Sequence, residues 1–142
     1  MKPIPLVIDT NVIVSALRSQ QGASHQFLKL LPDKIYKPNL SVPLFLEYET
    51  VLKRPGLITG LLKQDIHDVL DYLLSQADIH PIFFLWRPFL KDRKDDLVLE
   101  IAVESASQFI ITFNIKDFIG VECFGIQAIT PQEFLRTRGI LP

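Results

Sequence analysis

Five side chains in this sequence could do metal chemistry together: Asp9, Glu47, Asp95, Asn114 and Asp117. Carboxylates brought close to one another repel, and the usual remedy is a hard divalent cation with oxygen ligands, Mg2+ or Mn2+. Such ions bind phosphates and activate water for in-line cleavage of phosphodiesters. Each residue also has a plainer reading. Asp9 serves equally well as a turn or helix-capping residue, Glu47 as a glutamate at the edge of the core, and Asp95 as an acid that favours a helix N-terminus. Asn114 and Asp117 suit a turn. What sets the five apart is where the surrounding elements place them.

Residues 4–8 read as a buried strand, too short and too continuously apolar to be amphipathic. Asp9 ends it, at the position where open α/β sheets bind ligands. Thr10 and Asn11 can cap a helix over 12–19, and a second helix is expected over 23–32. Ile35-Tyr36-Lys37-Pro38 suits a short strand ended by its proline. Ser41 and Pro43 open a helix over 42–53, stopped by Arg54-Pro55-Gly56. Ile66, Val69, Leu70, Leu73 and Leu74 give an amphipathic helix over 64–77, and residues 79–85 are extended and apolar. A polar stretch from Asp92 leads into a helix over 96–106. Apolar strands follow at 109–112 and 127–129, and Thr130-Pro131-Gln132-Glu133 caps a last helix over 131–137. Strands alternating with helices imply one α/β domain over residues 1–142, with a parallel sheet covered on both faces, a three-layer α/β/α arrangement.

Helical phase then sorts the acids. Glu47 lies three residues after Leu44 and four before Val51, bordering the apolar stripe of Leu44, Tyr48, Val51 and Leu52. Asp95 precedes Leu99 by four and Ala102 by seven, in line with the inward stripe of Val98, Leu99, Ala102 and Ala106. At ~100° per residue, Asp96 is turned away from that line and, with Asp92, is expected to be more exposed. Asn114 follows the strand at 109–112, with Asp117 three residues on.

Composition excludes several classes. With 48% hydrophobic residues and no apolar run near the ~20 residues of a membrane span, the chain reads as soluble. The first residues show no long apolar segment with a small-residue cleavage site, and Cys123 is the single cysteine, so a cytoplasmic protein is expected. A net charge of −1 gives no overall attraction to nucleic acid, so a polyanion must be held by a local basic patch or by metal. Lys53, Arg54, Lys91, Arg93, Lys94 and Lys116 are the candidates for such a patch. His25, His67 and His80 belong to no motif and read as surface or packing residues.

Taken together, these residues resemble the PIN-domain proteins, close to the VapC-like toxins of toxin–antitoxin systems. The resemblance is carried by Val7-Ile8-Asp9-Thr10-Asn11-Val12, by Glu47-Tyr48-Glu49-Thr50-Val51-Leu52-Lys53-Arg54-Pro55, by Asp92 and Asp95-Asp96 with Leu99 and Ala102, and by Ile110-Ile111-Thr112-Phe113-Asn114-Ile115-Lys116-Asp117-Phe118. Thr130-Pro131-Gln132-Glu133-Phe134-Leu135 is similar to the family's closing helix. The resemblance implies a central parallel sheet and a Mg2+- or Mn2+-dependent ribonuclease, with Asp9, Glu47 and Asp95 at the family's acidic positions. The fourth acidic position falls on Asn114, which offers a neutral carbonyl, so Asp117 is the alternative carboxylate. Thr10, Asn11, Asp96 and Thr112 correspond to polar residues that orient the metal ligands. An RNA substrate, a small antitoxin partner and a homodimer are implied as well. For Ile82-Phe83-Phe84-Leu85-Trp86, an apolar segment that could meet a partner, burial in the core is the principal expectation.

Two rival readings remain. One is a PIN-like module that binds RNA or protein and cuts weakly or not at all. The other is a phosphatase of the haloacid dehalogenase type, which needs a second Asp where this chain has Asn11.

Overall fold

Strand β1 (Ile4–Ile8) can be apolar throughout because it is the middle strand of the sheet, with Leu6, Val7 and Ile8 all buried. The computed structural model describes residues 2–83, 85 and 89–142. After β1 come α1 (Thr10–Arg18), α2 (Ala23–Lys29), β2 (Tyr36–Leu40), α3 (Val42–Leu52), α4 (Lys63–Gln76), β3 (Asp78–Ile79), α5 (Arg93–Glu104), β4 (Phe109–Ile111), β5 (Gln127–Ile129) and α6 (Pro131–Thr137). The strands pair in parallel in the order β3-β2-β1-β4-β5, giving the three-layer α/β/α fold.

That order carries the functional geometry. The chain steps outward from β1 through β2 to β3, then crosses back to lay β4 on the other side of β1. The strand order therefore reverses between β1 and β4, and open parallel sheets bind ligands beyond the carboxyl ends of their strands at such a reversal. The Asp9 N–H donates to the Ile111 carbonyl and the Thr112 N–H to the Ile129 carbonyl, each at 2.9 Å. These bonds carry the ladder one residue past β1 and β4, so Asp9 and Thr112 leave the sheet side by side.

Packing holds this edge in place. An aromatic cluster ties α2 and α6 to the sheet: Phe27 stacks on Tyr36 with ring centroids 4.3 Å apart, and Phe134 sits edge-on to both and to Phe109. The Tyr36 hydroxyl donates to the Phe27 carbonyl at 2.8 Å, satisfying its polar end. Helix α5 packs on β1, β2 and β4 through a buried face that includes Val98, Leu99 and Ala102. The buried Tyr48 hydroxyl of α3 donates to the Ile8 carbonyl and pins α3 to the end of β1.

Several elements differ from the sequence expectation. Pro38 does not end its strand; β2 continues to Leu40. The Ile35 carbonyl bonds toward β1 (Ile4 N–H, 3.0 Å), whereas the Leu40 carbonyl accepts the His80 N–H at 2.8 Å on the β3 side. Alternation turns Pro38 to the β3 side, before β3 begins, where its missing N–H costs no ladder bond. Helix α5 starts at Arg93, capped by Asp92, whose side chain accepts the Lys94 N–H at 2.9 Å. It ends at Glu104, so Ala106 lies outside it with φ +52° and is exposed. The helix expected over 23–32 stops at Lys29 and gives way to a 3-10 turn, Leu31–Asp33. Of the described residues among 79–85, only Ile79 lies in a strand. Within the apolar segment 82–86, Phe83 and Leu85 are exposed rather than in the core, Ile82 is half-buried, and positions 84 and 86 lie outside the described residues. Among the described residues, no helix is long and apolar enough to cross a membrane.

Candidate functional site

Asp9 both caps helix α1 and faces the crevice beyond the sheet. Its Oδ1 accepts the Thr10 N–H at 2.8 Å, and its Oδ2 accepts the Thr112 hydroxyl at 2.7 Å. Thr112 is fully buried, and its oxygen also receives the Asn114 N–H at 3.0 Å and the Asn11 amide at 3.5 Å. Those two partners are donors only, so the single hydroxyl hydrogen of Thr112 is committed to Asp9. The Asn11 Oδ1 in turn accepts the Phe113 N–H at 3.5 Å, binding the turn after β4 to the start of α1. Asp9 is thereby oriented from two sides.

The crevice above it, about 630 Å3, is lined by Asp9, Glu47, Asp92, Asp95, Asn114 and Asp117 together with Arg18, Arg54 and Lys94. Three elements bring the acids there: the end of β1 supplies Asp9, α3 supplies Glu47 and the first turn of α5 supplies Asp95. Glu47, with a side chain 17% exposed, lies 3.9 Å from the Lys94 ammonium. Asn114 caps the 3-10 turn Ile115–Phe118 through its backbone alone, its carbonyl accepting the Asp117 N–H at 2.9 Å. Its side chain makes no capping hydrogen bond.

The electrostatics of the crevice favour a cation. Burial pushes the Asp95 carboxyl up to about 7, and the charges of Asp9, Asp92, Asp117 and Asp96 push the same way. Asp9 is also raised, first by burial and further by Asp117 and Glu47, against the lowering effect of the Thr112 and Thr10 hydrogen bonds. Burial, and then the Asp9 charge, raise the Tyr48 phenol, which stays neutral and donates. Among the described residues, no three acidic, histidine or cysteine side chains are already drawn together as a metal-ligand set. The donors are carboxylate and amide oxygens, the chemistry that suits Mg2+ or Mn2+ rather than a thiolate- or imidazole-seeking ion.

Other expectations divide. Asp96 is not exposed: it is 2% accessible and accepts the Leu90 N–H at 2.9 Å, tying down the loop before α5 instead of touching the crevice acids. Its burial follows from the width of the contact, because α5 also buries Glu100 and Ile101. Of the basic candidates, Arg54 and Lys94 line the crevice. Lys53 pairs with Glu49 at 3.4 Å, Arg93 is exposed at the start of α5, and Lys91 and Lys116 line a neighbouring crevice with Asp117. His80 bonds to Asn39 at 2.8 Å and His25 to the Ala16 carbonyl at 3.3 Å, both away from the acids. Arg18 lines the site and escaped the sequence reading. The signal for it is its place four residues after Val14 and seven after Asn11, on the helix face that leaves Asp9.

A doubly wound parallel sheet with an acidic crevice at its point of reversal defines the class of protein. Residues 5–116 match the PIN domain family profile, and the chain belongs to that family, whose members are generally nucleases and typically use divalent metals. The fold is similar to the crystal structure of VapBC2 from Rickettsia felis bound to a DNA fragment from their promoter. The TM-score is 0.61 at 18% identity, covering 89% of this chain and 98% of that one. No curated protein matches in sequence.

Proposed function

We propose that this chain is a divalent-metal-dependent ribonuclease that hydrolyses internal phosphodiester bonds, the VapC-like toxin of a toxin–antitoxin pair. The observation that carries the reading is the arrival of Asp9, Glu47 and Asp95 from β1, α3 and α5 in one crevice, with the Asp9 and Asp95 carboxyls raised. A bound Mg2+ or Mn2+ supplies a Lewis acid and lowers the pKa of a coordinated water. Asp9, Glu47 and Asp95 would hold it, with Asn114 or Asp117 as a further oxygen ligand. Thr112 and the Thr10 N–H keep Asp9 in one orientation and favour its ionised form, while Asp95 would release its proton to solvent when a cation binds.

Cleavage of single-stranded RNA should stop in EDTA, return with Mn2+ and be lost in Asp9→Asn. RNA binding that needs no metal, with no cleavage in any divalent ion, would replace this reading with that of a binding module. The partner half of the proposal draws on the solved neighbour, a VapBC2 assembly. A small antitoxin encoded beside this chain, copurifying with it and suppressing cleavage, is the expected finding. We place the protein in the cytoplasm, as a homodimer.

A further inference from the structure

We propose that Arg18 and Arg54 form a phosphate subsite that holds the RNA strand beside the acidic centre; the proposal rests on the nuclease reading above. Both arginines line the crevice that holds the acids, one from the last turn of α1 and one from the residues that follow α3. Among the described residues, the ion pairs engage Lys94 with Glu47 and leave both guanidinium groups out. A crevice containing Asp9, Glu47, Asp92, Asp95 and Asp117 thus keeps two cations that its own acids do not neutralise. A ligand carrying several negative charges completes both halves: one phosphate beside the acids through a cation, the next on the arginines.

Arg18 is built for that role. Its Nε donates to the Leu57 carbonyl at 3.0 Å, which fixes the plane of the guanidinium and, among the described residues, leaves both Nη groups for an anion. At ~1.5 Å per residue, helix α1 carries Arg18 roughly 10 Å from Asn11 along its axis. That separation puts Arg18 on a different phosphate of the strand from the one beside the acids. Ser15 and Ser19 on the same wall add hydroxyl groups.

The test measures binding of a labelled single-stranded RNA oligonucleotide in EDTA, by fluorescence anisotropy over a salt series. Arg18→Gln and Arg54→Gln should each raise Kd about tenfold and reduce the slope of log Kd against log salt by about 0.7. A neutral methylphosphonate scanned along the oligonucleotide should weaken wild-type binding at one linkage and have no added effect there in Arg18→Gln. Unchanged Kd and slope in both variants overturn the subsite. So does a loss confined to Arg18→Gln and accompanied by a lower melting temperature, because among the described residues the Arg54 side chain makes no hydrogen bond like the one from Arg18 to the Leu57 carbonyl. A wild type that is cut-competent with Mn2+ while the variants bind normally sinks the subsite and spares the nuclease. A wild type that never cleaves, with both variants losing RNA, does the reverse.

Discussion

Replacing Thr112 with valine removes one hydroxyl while keeping the shape of a side chain that is fully buried. The hydroxyl gives its only hydrogen to Asp9 at 2.7 Å and receives the Asn114 N–H at 3.0 Å, so the substitution strips Asp9 of one of its two donors. A hydrogen bond to a charged group contributes about 1.5–3 kcal/mol. Burial already raises the Asp9 carboxyl, and Thr112 is the foremost group holding it down. Without it, Asp9 keeps its proton to higher pH, and a divalent ion must displace that proton to bind. Losing a group that orients a metal ligand typically costs ten- to hundredfold in affinity, or about 1.4–2.8 kcal/mol. Mn2+ titration followed by electron paramagnetic resonance should show that loss, larger at pH 6 than at pH 8, with Thr112→Ser near wild type. Circular dichroism checks that the variant is folded. Wild-type Mn2+ affinity at both pH values in a folded Thr112→Val would refute the role given to Thr112 and weaken the case for Asp9 as a ligand.

Two further outcomes follow from the same geometry. The Asp95 carboxyl sits at about 7 in the folded chain against 3.8 ordinarily, so the folded state binds this proton more tightly than the unfolded state does. The stability it contributes is complete below about 3.8 and is lost as pH rises through about 7. The melting temperature of the metal-free protein should therefore fall between pH 5 and pH 8, and Asp95→Asn should flatten the fall; an equally steep slope in the variant counts against the assignment. Tyr48→Phe deletes the buried bond to the Ile8 carbonyl and should cost about 1–2 kcal/mol, a few degrees of melting temperature in scanning calorimetry. An unchanged melting temperature would show that α3 is not held to β1 by this hydroxyl.

Local chemistry made much of this legible in the sequence. The last helix, 131–137, and the strand 127–129 were readable to the residue, because Thr130 is a strong cap and the strand is short and bounded. Ser41 caps α3 as its sequence proposes, accepting the Leu44 N–H at 3.2 Å. Asp9 was open between cap and crevice acid, and it is both. What failed depended on tertiary contacts. Asp96 lies off the narrow apolar stripe of α5 and is buried all the same, because the helix is enclosed by three strands and α3 and buries two acids. Pro38 survives inside a strand because of which neighbour its nitrogen faces, a matter of strand order that no local window contains. Arg18 could have been found from its spacing to Asn11, but its partner, the Leu57 carbonyl, lies 39 residues away.

The bond between Thr112 and Asp9 joins residues 103 positions apart. During synthesis Asp9 leaves the ribosome early, and the hydroxyl that orients it follows only after more than a hundred further residues. Until β4 has docked beside β1, Asp9 lacks the hydroxyl that orients it. Whatever reaction the crevice performs, a partly made polypeptide cannot perform it. The wide sequence separation acts as a timer, holding the centre incomplete until Thr112 has been made and β4 has docked beside β1.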